Sequence, residues 1–233
     1  NQSPYWHRLQ HNSALLLLAV LNSEITMTIE LLNIDCMEYM ANQPDNSFDL
    51  AIVDPPYGIG ESGKTNATRG KLAIAKDYKS FAGHDREPPS QEYFDELFRV
   101  SKNQIIFGAN HFIERINKDS SCWIVWDKDN GKSDFADCEL AWTSFNTAVR
   151  KFKFRWSGML QENMKNKEVR IHPTQKPQKL YDWLLENYAK PSDLILDPYA
   201  GSFSSAVACK EKGFSGVFCE LDKDYFKSGK NRV

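Results

Sequence analysis

From residue 28 onward, short apolar runs alternate with helically spaced apolar stripes, the pattern of a mostly parallel sheet covered on both faces by helices. Ile29–Leu32 reads as a strand ending at Asn33-Ile34-Asp35, and Cys36–Met40 as a short helix. Phe48–Val53 is a continuous apolar strand apart from Asp49, and it runs directly into Asp54-Pro55-Pro56-Tyr57. Ser90 stands where an N-cap is needed for a helix whose Phe94, Leu97 and Phe98 face the core. The pattern then predicts a strand over Gln104–Phe107, a helix near Asn110–Ile116, and a strand pair, Cys122–Trp126 with Cys138–Trp142. Gln178–Tyr188 is an amphipathic helix stopped by Pro191. Leu194–Leu196 is a buried strand, Ser204–Lys212 a helix, and Gly216–Cys219 the last strand.

Two segments break this rhythm. Residues 58–89 form a polar stretch rich in Gly, Lys and Ser, too long for an ordinary connection and therefore expected to be a functional loop. Residues 145–171 are basic and aromatic with weak periodicity. At the amino end, Leu15–Leu21 is an apolar run after Arg8, too short to span a bilayer. The expected domain starts at Met27, with residues 1–26 a dispensable or artefactual extension and 27–233 one domain. An amino-terminal helix packed on that domain is the alternative.

A chain of 233 residues has room for one α/β domain with a full core. Its net charge of −2 gives no global nucleic-acid signal, so such a surface has to be local. Five cysteines with neither C-x-x-C nor zinc spacing read as reduced thiols in a cytoplasmic protein, with no metal and no structural disulfide.

Ligands of open α/β sheets collect outside the carboxyl ends of strands. Asp35, Asp54, Asp197 and Glu220 all fall at such ends. A single acid there is usually a helix cap; four together, two of them in proline-containing turns, point to a site. In Asp54-Pro55-Pro56-Tyr57 the prolines fix the backbone and remove two N–H donors, which leaves carbonyls facing the site. An amino group on an aromatic ring needs acceptors for its hydrogens so that the nitrogen lone pair can turn to an electrophile. The Asp54 carboxylate and the Pro55 carbonyl can supply both, and Tyr57 can stack on the ring. In Asp197-Pro198-Tyr199-Ala200-Gly201-Ser202, Gly201 permits close approach of a ligand to the backbone. An acid about 20 residues on, Glu220, suits a pair of ribose hydroxyls. That turn lacks the full G-x-G-x-x-G fingerprint, which argues against a dinucleotide there and for a sulfonium nucleoside.

With these motifs in place the chain resembles the β-class amino-methylating DNA methyltransferases, in which the catalytic motif precedes the cofactor motif. Asn33-Ile34-Asp35-Cys36, Asp54–Tyr57, His172-Pro173-Thr174-Gln175-Lys176-Pro177, Asp197–Ser202 and Glu220-Leu221-Asp222 match its segments in order. The stretch from Trp123 to Trp156 resembles small prophage-encoded members. The resemblance implies a Rossmann-like α/β methyltransferase fold, with a mostly parallel, doubly wound seven-stranded sheet, one antiparallel strand and circularly permuted motifs. It implies S-adenosyl-L-methionine as cofactor and double-stranded DNA as partner. Asp54, Pro55, Pro56 and Tyr57 would be catalytic. Asp35 and the Cys36 N–H would bind the cofactor's adenine, and Glu220 and Leu221 would form the ribose end. Asp197, Tyr199, Ala200, Gly201, Ser202, His172, Thr174 and Lys176 would complete the cofactor site, with Lys176 near the methionine carboxylate. The family's Gly-Ser-Gly is here Gly201-Ser202-Phe203, and its common Phe is Tyr199; a side chain at 203 either crowds the methionine moiety or packs in the helix.

Arg150, Lys151, Lys153, Arg155, Lys165, Lys167 and Arg170, interleaved with Phe152, Phe154 and Trp156, suit phosphate contact plus base stacking. The plainer reading is a solvated edge strand whose aromatics face the core, since the alternation has period two. The 58–89 loop adds Lys64, Arg69, Lys71, Lys76, Lys79 and Arg86. Neither segment is large, which implies a short recognition sequence or dimerisation to widen the footprint. The reaction expected is in-line methyl transfer to adenine N6, with no covalent enzyme intermediate. Cytosine-N4 in DNA, an RNA base, and a non-catalytic binding module are the competing readings.

Overall fold

The computed structural model describes residues 27–59, 87–131, 136–157 and 160–233. The expected amino-terminal extension and Lys64, Arg69, Lys71, Lys76, Lys79 and Arg86 lie outside the described residues. In chain order the elements are β1 (Ile29–Leu32), α1 (Cys36–Ala41), β2 (Phe48–Val53), α2 (Gln91–Val100), β3 (Ser101–Phe107) and α3 (Ile113–Ile116). Then come β4 (Trp123–Asp127), β5 (Cys138–Thr143), β6 (Arg150–Lys153), β7 (Trp156–Ser157), β8 (Leu160–Gln161) and α4 (Gln178–Tyr188). The chain closes with β9 (Leu194–Asp197), α5 (Ser204–Lys212), β10 (Ser215–Cys219) and α6 (Lys223–Lys230).

One eight-stranded sheet runs β1-β10-β9-β2-β3-β5-β4-β6. Every neighbour pairs parallel except at β5, which is antiparallel to both β3 and β4. The mostly parallel sheet with one reversed strand is therefore as expected. The sheet has eight strands where seven were expected; the eighth is β6, the edge strand that the period-two reading of the basic segment allowed. β7 and β8 form a separate two-stranded ribbon.

β2 explains why the sheet is wound on both faces. Its alternate residues Leu50 and Ile52 join a core with Leu180, Leu184 and Ala206 of α4 and α5. Ala51 and Val53 join a second core with Met40, Phe94 and Leu97 of α1 and α2. A strand buried on both sides needs the continuous apolar run seen here. From β2 the chain winds outward through α2 to β3, and from β9 through α5 to β10, in the opposite direction. The switch point of the sheet is thus between β9 and β2, where ligands of such folds bind.

Two helices, α1 and α6, start on a side-chain cap. Asp35 Oδ1 accepts the N–H groups of Met37 (2.8 Å) and Glu38 (3.3 Å), and Asp222 Oδ1 those of Asp224 (2.8 Å) and Tyr225 (3.0 Å). Ser90 stands at the cap position of α2 but makes no side-chain capping bond.

Phe203 settles where the bulk at the family's glycine goes. Its backbone is left-handed (φ 58°), a conformation costing a non-glycine residue roughly 1–2 kcal/mol. The ring is fully buried and packs edge-on to Phe226 of α6, with centroids 5.8 Å apart. Gly229 makes room for it, since a Cβ there would lie 2.2 Å from Phe203 Cδ2. Phe203 is accordingly packed into the protein, away from the cavity described below. Gly229→Ala is expected to cost about 1–3 kcal/mol by overpacking, lowering the midpoint of thermal unfolding by roughly 2–10 °C. An unchanged midpoint would mean that the ring has somewhere else to go.

Candidate active site

The loops at the carboxyl ends of β1, β2, β9 and β10 converge on one cavity of about 790 Å³. Asp35, Cys36, Asp54, Pro55, Pro56, Tyr57, His172, Thr174, Lys176, Tyr199, Ala200, Gly201, Ser202, Glu220 and Leu221 all line it. Fifteen predicted residues from five separate sequence segments thus share one wall.

At one end, Glu220 is tied down by the backbone: Oε2 accepts Gly201 N–H (2.9 Å) and Oε1 accepts Asp222 N–H (2.7 Å). Burial pushes its carboxyl up to about 7 against these bonds. Gly201 takes φ 51°, the left-handed region that glycine enters without penalty. Asp35 spends Oδ1 on the α1 cap, as the plainer reading had it, and Oδ2 has no hydrogen-bond partner among the described residues. His172 packs edge-on to Tyr225 (4.3 Å), and burial lowers its imidazole to about 4, so it is neutral at pH 7.

Asp197 departs from expectation. It does not line the cavity; it lies behind the loop, where it accepts Tyr199 N–H (3.1 Å) and the Ser205 hydroxyl (2.5 Å). It shapes the turn and is shielded from any ligand, being 1% exposed.

The other end holds a buried ionic cluster. Lys176, placed by the resemblance near the methionine carboxylate, is 5% exposed and its ammonium is engaged by the catalytic segment. Its Nζ lies 2.6 Å from Asp54 Oδ1 and 3.0 Å from Glu139 Oε2, and donates to the Tyr57 oxygen at 3.1 Å. The Tyr57 hydroxyl donates to Asp54 Oδ1 (2.8 Å), with Glu139 Oε2 3.3 Å away. Glu139 also pairs with Lys128. Burial raises the Asp54 carboxyl despite the opposing pull of Lys176. Burial acts the same way on Glu139, but Lys176 and Lys128 outweigh it and bring that carboxyl down to about 2. Burial would neutralise Lys176, yet the two carboxylates hold its pKa above the usual value. One acid is thus fixed as an anion and the other kept basic, the division of labour that acid–base sites use.

Tyr57 does not present an open ring. It stacks on His111 (5.2 Å, 17°) and presses against Gly108. Glu139, Lys128, Asn110 and His111 all line the cavity, and none was singled out from the sequence. An acid inside the short apolar strand Cys138–Thr143 was the one available signal for Glu139.

The basic segment follows the plainer reading. Phe152 and Phe154 pack against the core, stacked on one another at 5.8 Å, with Trp183 5.4 Å from Phe152. Both rings are half-buried in this position. Lys151 pairs with Asp127 (3.3 Å), and Lys153 and Arg155 pair with Asp129 (3.0 and 2.7 Å). Arg150, Lys165 and Lys167 are exposed, and Arg170 lines the cavity.

A doubly wound sheet with acids, a glycine turn and a proline-fixed acceptor at its switch point defines an α/β transferase with a nucleoside-type site. Residues 114–231 match the DNA methylase family of N6/N4 methyltransferases, and the chain belongs to that family of S-adenosylmethionine-dependent DNA methyltransferases. It is 28% identical to the Type II methyltransferase M.HpaI of Haemophilus parainfluenzae, over 85% of this chain and 72% of that protein. It is 25% identical to the putative methylase YubD of Escherichia coli K12, over 85% and 87%. The fold is shared with M1.HpyAVI, solved with S-adenosylmethionine (TM-score 0.55, 22% identity, 88% of this chain and 100% of that one). It is also shared with the cytosine-N4-specific PvuII DNA methyltransferase (TM-score 0.59, 13% identity, 89% and 87%).

Proposed function

We propose that this chain methylates the N6 amino group of adenine in DNA, and that residues 27–233 act as one catalytic unit. The observation that carries the reading is Asp54. Its Oδ1 is held by Lys176 and Tyr57, while Oδ2 accepts nothing from the described residues and is left for a substrate amino hydrogen. The Pro55 carbonyl would take the second hydrogen, turning the nitrogen lone pair to the electrophile. Positioning and acceptor polarisation then supply the rate, with no covalent intermediate on the protein. The Asp54 carboxylate is the group in place to take the proton that the amino nitrogen sheds.

The opposite end of the cavity fits S-adenosyl-L-methionine, which supplies an electrophilic methyl. Glu220, already oriented by two backbone donors, suits the ribose hydroxyls, and Asp35 Oδ2 with the Cys36 N–H suits the adenine edge. Gly201, Ser202 and Thr174 would take the methionine end. His172 keeps that wall neutral. A target base has to use the Tyr57 face not covered by His111, or displace that imidazole. Solvent-exposed ion pairs of the Lys153–Asp129 kind are weak, so phosphates can replace the carboxylates at the basic edge.

Aspartate at position 54 supports adenine, because the resemblance associates the cytosine-N4 group more often with serine there. Cytosine N4 is the second reading, favoured by the fold shared with the PvuII enzyme. Incubating DNA with the protein and S-adenosylmethionine, digesting it to nucleosides and weighing the products separates them. N6-methyldeoxyadenosine is expected; N4-methyldeoxycytidine would replace the assignment.

A further inference from the structure

We propose that Glu139 is a positioning residue for methyl transfer: by sharing Lys176 and Tyr57 with Asp54, it keeps both on Oδ1 and leaves Oδ2 to the substrate amino group. This rests on the reading of Asp54 as the amino acceptor. Glu139 reaches the site from β5, the one reversed strand, whose pairing with β3 (Ile105 to Thr143, Phe107 to Ala141) brings its start beside the end of β3. Its two oxygens do different work. Oε2 faces Lys176 Nζ at 3.0 Å and the Tyr57 hydroxyl at 3.3 Å, whereas Oε1 pairs with Lys128.

The charge count explains why a second acid is needed. A lone buried Lys176–Asp54 pair would lock the carboxylate to the ammonium and make it a poor acceptor and a poor base. With Glu139 present, the ammonium is divided between two carboxylates, and Lys128 balances the surplus negative charge. Glu139 raises the basicity of Asp54, and Lys176 lowers it. The groups that face Asp54 are Lys176, Glu139 and Tyr57, with Asp197 and Tyr181 further off.

The sign of the pH effect follows. Asp54 must be ionised to accept, so activity falls on the acid side as it protonates. Removing the negative charge of Glu139 lets Lys176 act on Asp54 alone, which lowers the Asp54 pKa. The acid limb of the kcat profile should move to lower pH, even as the rate at neutral pH falls.

The experiment is kcat against pH for Glu139→Gln on duplex DNA, beside cofactor affinity by calorimetry and Asp54→Ala as reference. We expect kcat lowered about tenfold or more, cofactor affinity within about twofold, and the acid limb displaced downward. Wild-type kcat overturns the proposal. So does a fall in kcat with an unmoved limb, or one matched by lost cofactor affinity, since either marks a purely structural role. If Glu139→Gln does not fold, Glu139→Asp is compared with wild type by the same quantities: kcat lowered about threefold or more with cofactor affinity within about twofold is expected, and an unchanged kcat or a matching loss of cofactor affinity overturns the proposal. Activity surviving in Asp54→Ala would instead bring down the assignment of Asp54 itself.

Discussion

Asp54→Ala is expected to reduce methyl transfer by about a hundred- to a thousandfold, the scale seen when a preorganised polar group at a reacting centre is removed. Folding and cofactor binding should survive. The reason lies in the ionic cluster: a single-partner lysine left buried without its carboxylate would cost several kcal/mol, but Lys176 keeps Glu139 at 3.0 Å. Glu220 and Asp35, the residues proposed for the cofactor, make no hydrogen bond to Asp54 and are held by their own backbone bonds. Incorporation of labelled methyl groups into DNA, alongside calorimetric titration with S-adenosylmethionine, checks both halves. Retained transfer would refute Asp54 as the acceptor, and lost cofactor binding would make it a structural residue.

What the amino-acid sequence disclosed of this site depended on how local the determining interactions are. Asp35, Asp54, Gly201 and Glu220 are each fixed within a few residues of a strand end, by a cap, a pair of prolines or a left-handed turn. Their types and local motifs alone suggested the roles proposed for them. Glu139 and Lys176 could not be joined that way, because their meeting depends on the reversed strand β5 lying beside β3 and on the loop before α4 folding across both. Lys176 was assigned to the cofactor by its motif, and its partners came from elsewhere in the chain. At the basic segment the period-two pattern of Lys151, Phe152, Lys153 and Phe154 already contained the answer, since alternation on an edge strand sends one set of side chains inward. Its composition suggested nucleic acid, but its periodicity decided where the rings went. Phe203 is the reverse case: the side chain at the family's glycine is accommodated beside Gly229, a pairing of residues with no local pattern in common.

Gly108→Ala should be the most damaging substitution of a residue that offers the substrate no side chain. Gly108 ends the β3 exit with φ 67°, donates its N–H to Leu140 O (2.9 Å) and accepts from His111 N–H (2.9 Å). A Cβ at this position would stand 2.1 Å from Tyr57 Cε1 and within 2.5 Å of two further ring atoms. The ring cannot yield cheaply, because its hydroxyl is held by Asp54 and Lys176 and one face is held by His111. The backbone cannot yield either without breaking its bond to Leu140, next to Glu139 on β5. Left-handed strain of about 1 kcal/mol therefore adds to the displacement of Tyr57. We expect kcat to fall about a hundredfold, with cofactor affinity changed much less, because the Glu220 end of the cavity is built from other loops. Single-turnover rates and cofactor titration for Gly108→Ala, compared with Tyr57→Phe, separate the two contributions of the tyrosine. Tyr57→Phe removes only the hydroxyl and should lose less. If Gly108→Ala turned over at the wild-type rate, the packed position of the Tyr57 ring would have no part in the reaction.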